Sequence, residues 1–202
     1  MLRHSEFKRL SGWVDQDRQQ LHLLSKAQQI KYFKKRLKMV LFSPLHELFK
    51  SMEKRKRNSS TVLCFGTCVC CAIEALGKFY TGRLGRGNSW DNFEKWIANY
   101  MSKDFSKTFN GIQYKKLLWD DFRNGLAHGF AIKNGGYDFQ TNYFEVKPIG
   151  GVNQLEIDPK QFYEDFISGF NSYITDLENA SIADSIYLKF DHAFRGIFIL
   201  GL

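Results

Sequence analysis

Thr61-Val62-Leu63-Cys64-Phe65-Gly66-Thr67-Cys68-Val69-Cys70-Cys71-Ala72-Ile73-Glu74-Ala75-Leu76 is the longest apolar run in the chain. It is too short for a membrane span and Glu74 interrupts it, so it reads as a helix inside a packed bundle. Continued through Phe79 and Tyr80, it predicts a helix over 61–80. All four cysteines fall in this run. Cys64, Cys68 and Cys71 share one helical face with Ala75, a stripe small enough to let another helix come close. No second cluster of Cys or His stands elsewhere at zinc-like spacing. Reduced, buried packing thiols are therefore expected, and no metal or other cofactor.

Toward the N-terminus, Asp15 to Lys38 carries Leu21, Leu24, Ile30, Phe33 and Leu37 among Gln, Lys and Arg, the pattern of one basic amphipathic helix. Pro44 is expected to open a second helix through Leu45, Leu48 and Met52. Lys54-Arg55-Lys56-Arg57-Asn58-Ser59-Ser60 reads as an exposed connector. Residues 1–60 hold 15 Lys/Arg against 5 Asp/Glu, and the rest of the chain 14 against 16. The net charge of +8 is thus a +10 arm on a −2 body, a field that attracts polyanions. Lys34, Lys35 and Arg36 are the arm's candidate RNA-binding residues, a membrane surface ranks behind RNA as its partner, and a plain solvated face with its apolar side packed on the bundle needs neither. Met1 to Arg18 has no continuous apolar stretch of the secretory type, and a cytoplasmic location is expected.

Toward the C-terminus, Gly82-Arg83-Leu84-Gly85-Arg86-Gly87 is a loop without the Lys-Ser/Thr ending of a P-loop; Arg83 and Arg86 are candidates to touch RNA phosphates. Ser89 is expected to cap a helix carrying Trp90, Phe93, Trp96, Ile97 and Tyr100. Another helix is predicted from Gln113 to His128. Phe130-Ala131-Ile132-Lys133, a turn at Asn134-Gly135-Gly136, and Tyr137-Asp138-Phe139 read as a short hairpin, with strands near Tyr143–Ile149 and Gln154–Ile157. Asp158 and Pro159 should start a long helix through Phe162, Phe166, Phe170, Tyr173 and Leu177. With 44% hydrophobic and 16% aromatic residues, the chain is no disordered polymer. The fold class expected is mainly α: an up-and-down helical bundle over 61–180, a small β-hairpin insertion near 130–157, the arm over 1–60 and a helical extension over 181–202.

The helix ending at His128 carries the candidate chemistry. At 100° per residue, Leu118, Trp119, Phe122, Gly125 and Leu126 face the core, while Asp120, Arg123, Asn124, Ala127 and His128 face outward. Asn124 and His128 are one turn apart, so the amide can orient the imidazole or contact substrate. Arg123 and His128 are not adjacent by spacing, and a second copy of the helix, admitted by the small Ala127, would complete the site. The carbonyls at the helix end favour the imidazolium of His128, which suits it to acid–base work, while the guanidinium of Arg123 matches a phosphate. Together they suit attack by an RNA 2′-hydroxyl on its own phosphodiester, with no metal required.

Arg123-Asn124-Gly125-Leu126-Ala127-His128, an Arg-x4-His pattern with a polar residue after the Arg, resembles the signature of HEPN domains. The resemblance runs from Cys71-Ala72-Ile73-Glu74-Ala75-Leu76-Gly77 into the helix around Phe162–Leu177 and does not cover residues 1–60. It implies a metal-independent RNA endonuclease, a homodimer with a composite cleft, and roles in toxin–antitoxin, antiviral or RNA-processing systems, with an antitoxin or regulatory protein as a further partner. In the toxins of that family silenced by nucleotidyltransferase antitoxins, a Tyr stands two residues after the His; Phe130 stands there in this chain, which argues against that route.

The alternatives are a non-catalytic HEPN module that binds a nucleotide or RNA end, and an interaction or membrane-associated protein that works through the basic helices. In the blandest reading, Arg123 is a surface arginine and His128 a C-cap. Glu74 has two candidate partners, the site (Arg123 or His128) and Lys78 one turn on. Asp120 and Asp121 either tune His128 or solvate the helix.

Overall fold

The computed structural model describes residues 20–54, 59–85, 87–109, 111–125, 132, 135–139, 141–149 and 152–201. The protein is mainly helical, with a small sheet placed after the motif helix.

Helix α1, Lys26–Leu37, begins at a capping box: the Ser25 hydroxyl accepts from the Gln28 N–H, and the Gln28 side chain accepts from the Ser25 N–H at 2.9 Å. The single helix expected over Asp15–Lys38 is therefore not formed, because Ser25 is held in extended backbone to satisfy the free N–H groups of the new helix. Residues 15–19 lie outside the described part. Pro44 does not open a separate helix either. A π-helical turn, Lys38–Phe42, leads straight into α2, Ser43–Lys54, and the backbone at Ser43 stays helical. Proline inside a helix has no N–H to give and crowds the carbonyl one turn back; a widened turn just before it accommodates both defects.

Helix α3, Ser59–Thr81, is the centre of the bundle. It touches α2, α4 (Ser89–Tyr100), α6 (Pro159–Asn179) and α7 (Ser185–Phe194). It is long and apolar enough to cross a membrane, but 56% of its most apolar window is buried inside the protein, which marks a core helix. Gly77 fixes its closest approach to α4: a Cβ there would stand 2.1 Å from the Asn92 carbonyl oxygen. The buried Asn92 side chain ties the intervening loop down, donating to the Arg83 carbonyl at 3.0 Å and accepting from the Thr81 hydroxyl at 2.5 Å. Ser89 is the first residue of α4 rather than its cap; Asn88 holds that place without a side-chain capping bond.

The basic segment is part of this core. Phe33 of α1 is fully buried against Phe79, Phe170, Phe190 and Phe198. The buried Gln29 joins α1 to α7, donating to Asp191 at 2.7 Å and accepting from the Tyr187 hydroxyl at 3.0 Å. Lys26 Nζ caps the end of α6 by donating to the Glu178 and Ala180 carbonyls.

After α4 come a 3-10 turn, Lys103–Ser106, and a minimal antiparallel pair, β1 (Thr108–Phe109) with β2 (Ile112–Gln113). Beyond the motif helix, β3 (Gly135–Tyr137), β4 (Phe144–Ile149) and β5 (Val152–Ile157) form a sheet in the order β3-β5-β4. The hairpin is β4 with β5, antiparallel; β3 runs parallel to β5. Gly135 and Gly136 are thus strand residues, not the turn expected of them. Their lack of side chains serves a close approach, since a Cβ on Gly135 would lie 2.4 Å from the Leu155 carbonyl oxygen. Asp158 caps α6, accepting from the Lys160 and Gln161 N–H groups at 2.7 and 3.1 Å, with Pro159 in the first turn. Asp165 of α6 accepts from the Ser102 N–H and from the Tyr143 hydroxyl at 2.7 Å, so one carboxylate joins the helical layer to the strands. The chain ends in a π turn, Arg195–Leu200, that extends α7.

If α1 is integral, Phe33→Ala will cost about 3–5 kcal/mol, read as a lower urea midpoint at an unchanged slope for the whole molecule. A loss confined to a separate early transition would show that α1 is a detachable arm.

Candidate functional site

The motif helix starts as α5, Tyr114–Leu117, continues as a π turn over Leu118–Arg123, and is helical at Asn124 and Gly125. Leu118, Trp119 and Phe122 are buried, as the helical spacing requires. Asp121 is buried as well. Arg123 does not face outward: its side chain is 18% exposed and lies against α3. The wider π turn rotates each residue by less than the 100° of an α-helix, and the outward arc read from α spacing is displaced by its end.

That rotation brings Arg123 to Glu74. Arg123 Nη2 donates to Glu74 Oε2 at 2.6 Å, and the Glu74 side chain is 13% exposed. Of the two partners the sequence offered Glu74, Arg123 holds it in place of Lys78. Arg123 Nη1 donates to Asn124 Oδ1 at 2.9 Å, and the guanidinium lies over the Trp119 ring, 4.6 Å from its centroid. Arg123 Nε is buried without an acceptor. A carboxylate, an amide and an indole thus fix one guanidinium in a single orientation, with further N–H donors left over.

The thiols of α3 border this group. Cys64, Cys68 and Cys71 are exposed and only Cys70 is buried, which corrects the expectation of packed thiols. The stripe they share with Ala75 is the side of α3 left without a neighbour among the described residues. Burial pushes the Cys70 thiol well up, against a smaller lowering by Arg123. Burial also raises Cys71, with Arg123 opposing and Glu74 adding to the rise. The Tyr137 hydroxyl is buried beside Cys70 without a well-formed hydrogen bond, sulfur being a weak partner. Tyr137 fits there because residue 66 is glycine: a Cβ would meet its hydroxyl at 2.4 Å.

The other candidates are dispersed. Asp120 pairs with Lys116 at 2.9 Å and makes no contact with Arg123 among the described interactions. Lys34 pairs with Glu178 at 2.9 Å; Lys35 is exposed and Arg36 half-buried on the same helix. Arg83 pairs with Asp91 at 2.6 Å. Arg86, Ala127 and His128 lie outside the described residues. Two participants escaped the sequence reading, Trp119 and Trp90, whose rings stand edge to face at 5.6 Å. Trp119 is four residues before Arg123, a spacing that brings side chains together on a helix and was the available signal; Trp90 comes from another helix and left none.

Comparison with protein-family models, curated proteins and solved structures finds no match.

The thiol geometry makes a chemical prediction. In native protein a thiol reagent will modify the exposed Cys64, Cys68 and Cys71, while Cys70 reacts only after denaturant is added. Four thiols reacting alike without denaturant would mean that Tyr137 and β3 do not seal Cys70.

Proposed function

We propose that the chain is a metal-independent RNA endonuclease of the HEPN type, acting as a homodimer with a composite cleft, in a toxin–antitoxin or antiviral defence setting. The observation that carries the reading is the fixed guanidinium: Arg123, five residues before His128, is clamped by Glu74, Asn124 and Trp119. An arginine needed only for solubility has no use for three orienting partners.

In the reaction, neutral His128 takes the proton of the RNA 2′-hydroxyl and the 2′-oxygen bonds to phosphorus. Arg123 stabilises the charge on the phosphorane. The bond from phosphorus to the 5′-oxygen then breaks, and that oxygen takes a proton from an imidazolium, which the partner subunit's copy of the site can supply. The products are a 2′,3′-cyclic phosphate and a free 5′-hydroxyl. Acid–base help of this kind contributes about 10²–10⁴-fold, and one preorganised charge-stabilising donor group about 10²–10³-fold. Lys35 and Arg36 supply sequence-independent attraction for RNA. A membrane role for α1 ranks lower, because its apolar residues Ile30 and Phe33 are already spent in the core.

One observation favours a second reading, a non-catalytic HEPN module that holds a nucleotide or RNA end. Glu74 sits 2.6 Å from Arg123 and already balances its charge.

Single-stranded RNA incubated in excess EDTA separates the two. Cleavage is expected to persist in the chelator and to fall at least 100-fold in His128→Ala and Arg123→Lys. Lysine is used because full removal of the guanidinium would leave the Glu74 carboxylate unpaired, at roughly 1–3 kcal/mol. Binding without cleavage selects the module; undiminished cleavage in both variants overturns the site.

A further inference from the structure

Four side chains on the motif helix and α4 form a continuous row. Lys116 Nζ lies over the Trp90 ring, 4.9 Å from its centroid. Trp90 meets Trp119 edge to face at 5.6 Å, and Trp119 underlies the Arg123 guanidinium at 4.6 Å. Lys116 and Arg123 are seven residues apart on one helix, about 10 Å by helical rise. The row begins at the surface and ends at the candidate chemistry.

We infer that Trp90, under the movable Lys116, is a base-stacking subsite for single-stranded RNA beside Arg123. The inference rests on the RNA reading above. Trp90 is partly exposed, and the fully buried Phe93 stacks near it at 6.4 Å and 28°, so the indole is held from within and presents its remaining surface outward. Lys116 is held weakly. Its side chain is 45% exposed, and among the described residues it pairs with the 46% exposed Asp120 one turn on. An exposed ion pair and an exposed cation–π contact are both weaker than a nucleobase stacked on an aromatic ring. A base therefore takes the ammonium's place over Trp90, and Lys116 turns to the adjoining phosphate. Arg83 and Lys95 share the single carboxylate of Asp91, the residue after Trp90, so two cations there face one anion. Duplex bases are already stacked on each other and cannot reach an indole on a helix surface, so the subsite selects unpaired strands.

Stacking ignores the sugar, and this provides a probe that cannot be cut: a fluorescein-labelled oligodeoxythymidine, which has no 2′-hydroxyl. Its binding to the full chain, followed by anisotropy, is expected to weaken about tenfold in Trp90→Leu, which keeps apolar packing, and to be largely kept in Trp90→Phe. Lys116→Gln should lower the salt dependence of binding. Unlabelled single strand should compete and duplex of the same length should not. Thermal melting reports whether each variant is folded; should Trp90→Leu fail to fold, the salt dependence of Lys116→Gln and the duplex competition decide alone. Equal affinity in parent and folded Trp90→Leu, equal competition by duplex, or no binding of the probe by the parent each overturns the subsite. Loss of RNA cleavage with Trp90-dependent binding intact would instead overturn the nuclease reading alone.

Discussion

Helix α3 can have neighbours on so many sides only because two of its residues have no side chain. At Gly77 the carbonyl of Asn92 occupies the space a Cβ would need, and at Gly66 the Tyr137 hydroxyl does. The first contact seats α4 against the core helix; the second seats β3, and through β3 the rest of the sheet. Fully buried Phe65, Val69, Ile73 and Leu76 fill the space between them. Interiors at this density transmit small volume changes. The position of Glu74 relative to the motif helix is therefore set by packing on both sides of it, not by the ion pair it makes.

That order of causes bears on the Arg123–Glu74 pair. Two charges with side chains 13–18% exposed have given up much of their hydration, and their attraction only offsets that loss when the geometry is good and the remaining donors are used. A single hydrogen bond of 2.6 Å to Glu74 plus one donated to Asn124 Oδ1 satisfies part of the guanidinium, and Nε is left with no acceptor. A site selected only for stability would close that gap with a second acceptor. The incomplete satisfaction leaves the arginine oriented and still short of acceptors.

What could be read from the sequence followed from how local its causes are. The α3 helix was expected over 61–80 and is observed over Ser59–Thr81; the start of α6 was marked by Asp158 and Pro159. Both depend on periodicity and on neighbouring residues. The π turns carry no such mark. The turn over Leu118–Arg123 has ordinary helix-compatible residues, yet it displaces Arg123 from the outward arc to the side of α3. Gly135-Gly136 misled for a related reason: glycine marks either a turn or a close backbone approach, and only the position of β5 decides between them. Glu74 was visible as a lone acid in an apolar helix, but its partner is 49 residues away, and the choice between Arg123 and Lys78 belonged to the packing.

The same π turn explains why Trp119 and Arg123 act together. Read at α-helical spacing, Trp119 belongs to the buried arc and Arg123 to the outer one, so the guanidinium would stand in solvent. Within the widened turn Trp119 keeps its place in the core beside Phe93 and Trp90 while Arg123, at the end of the turn, reaches α3. The indole face then lies beneath the guanidinium at 4.6 Å with its own position fixed by two aromatic neighbours. An arginine free in solvent would lose about 2 kcal/mol of rotamer entropy on gripping a ligand; here folding has already imposed most of that order. The π turn therefore costs regular helix geometry and supplies preorganisation of the guanidinium.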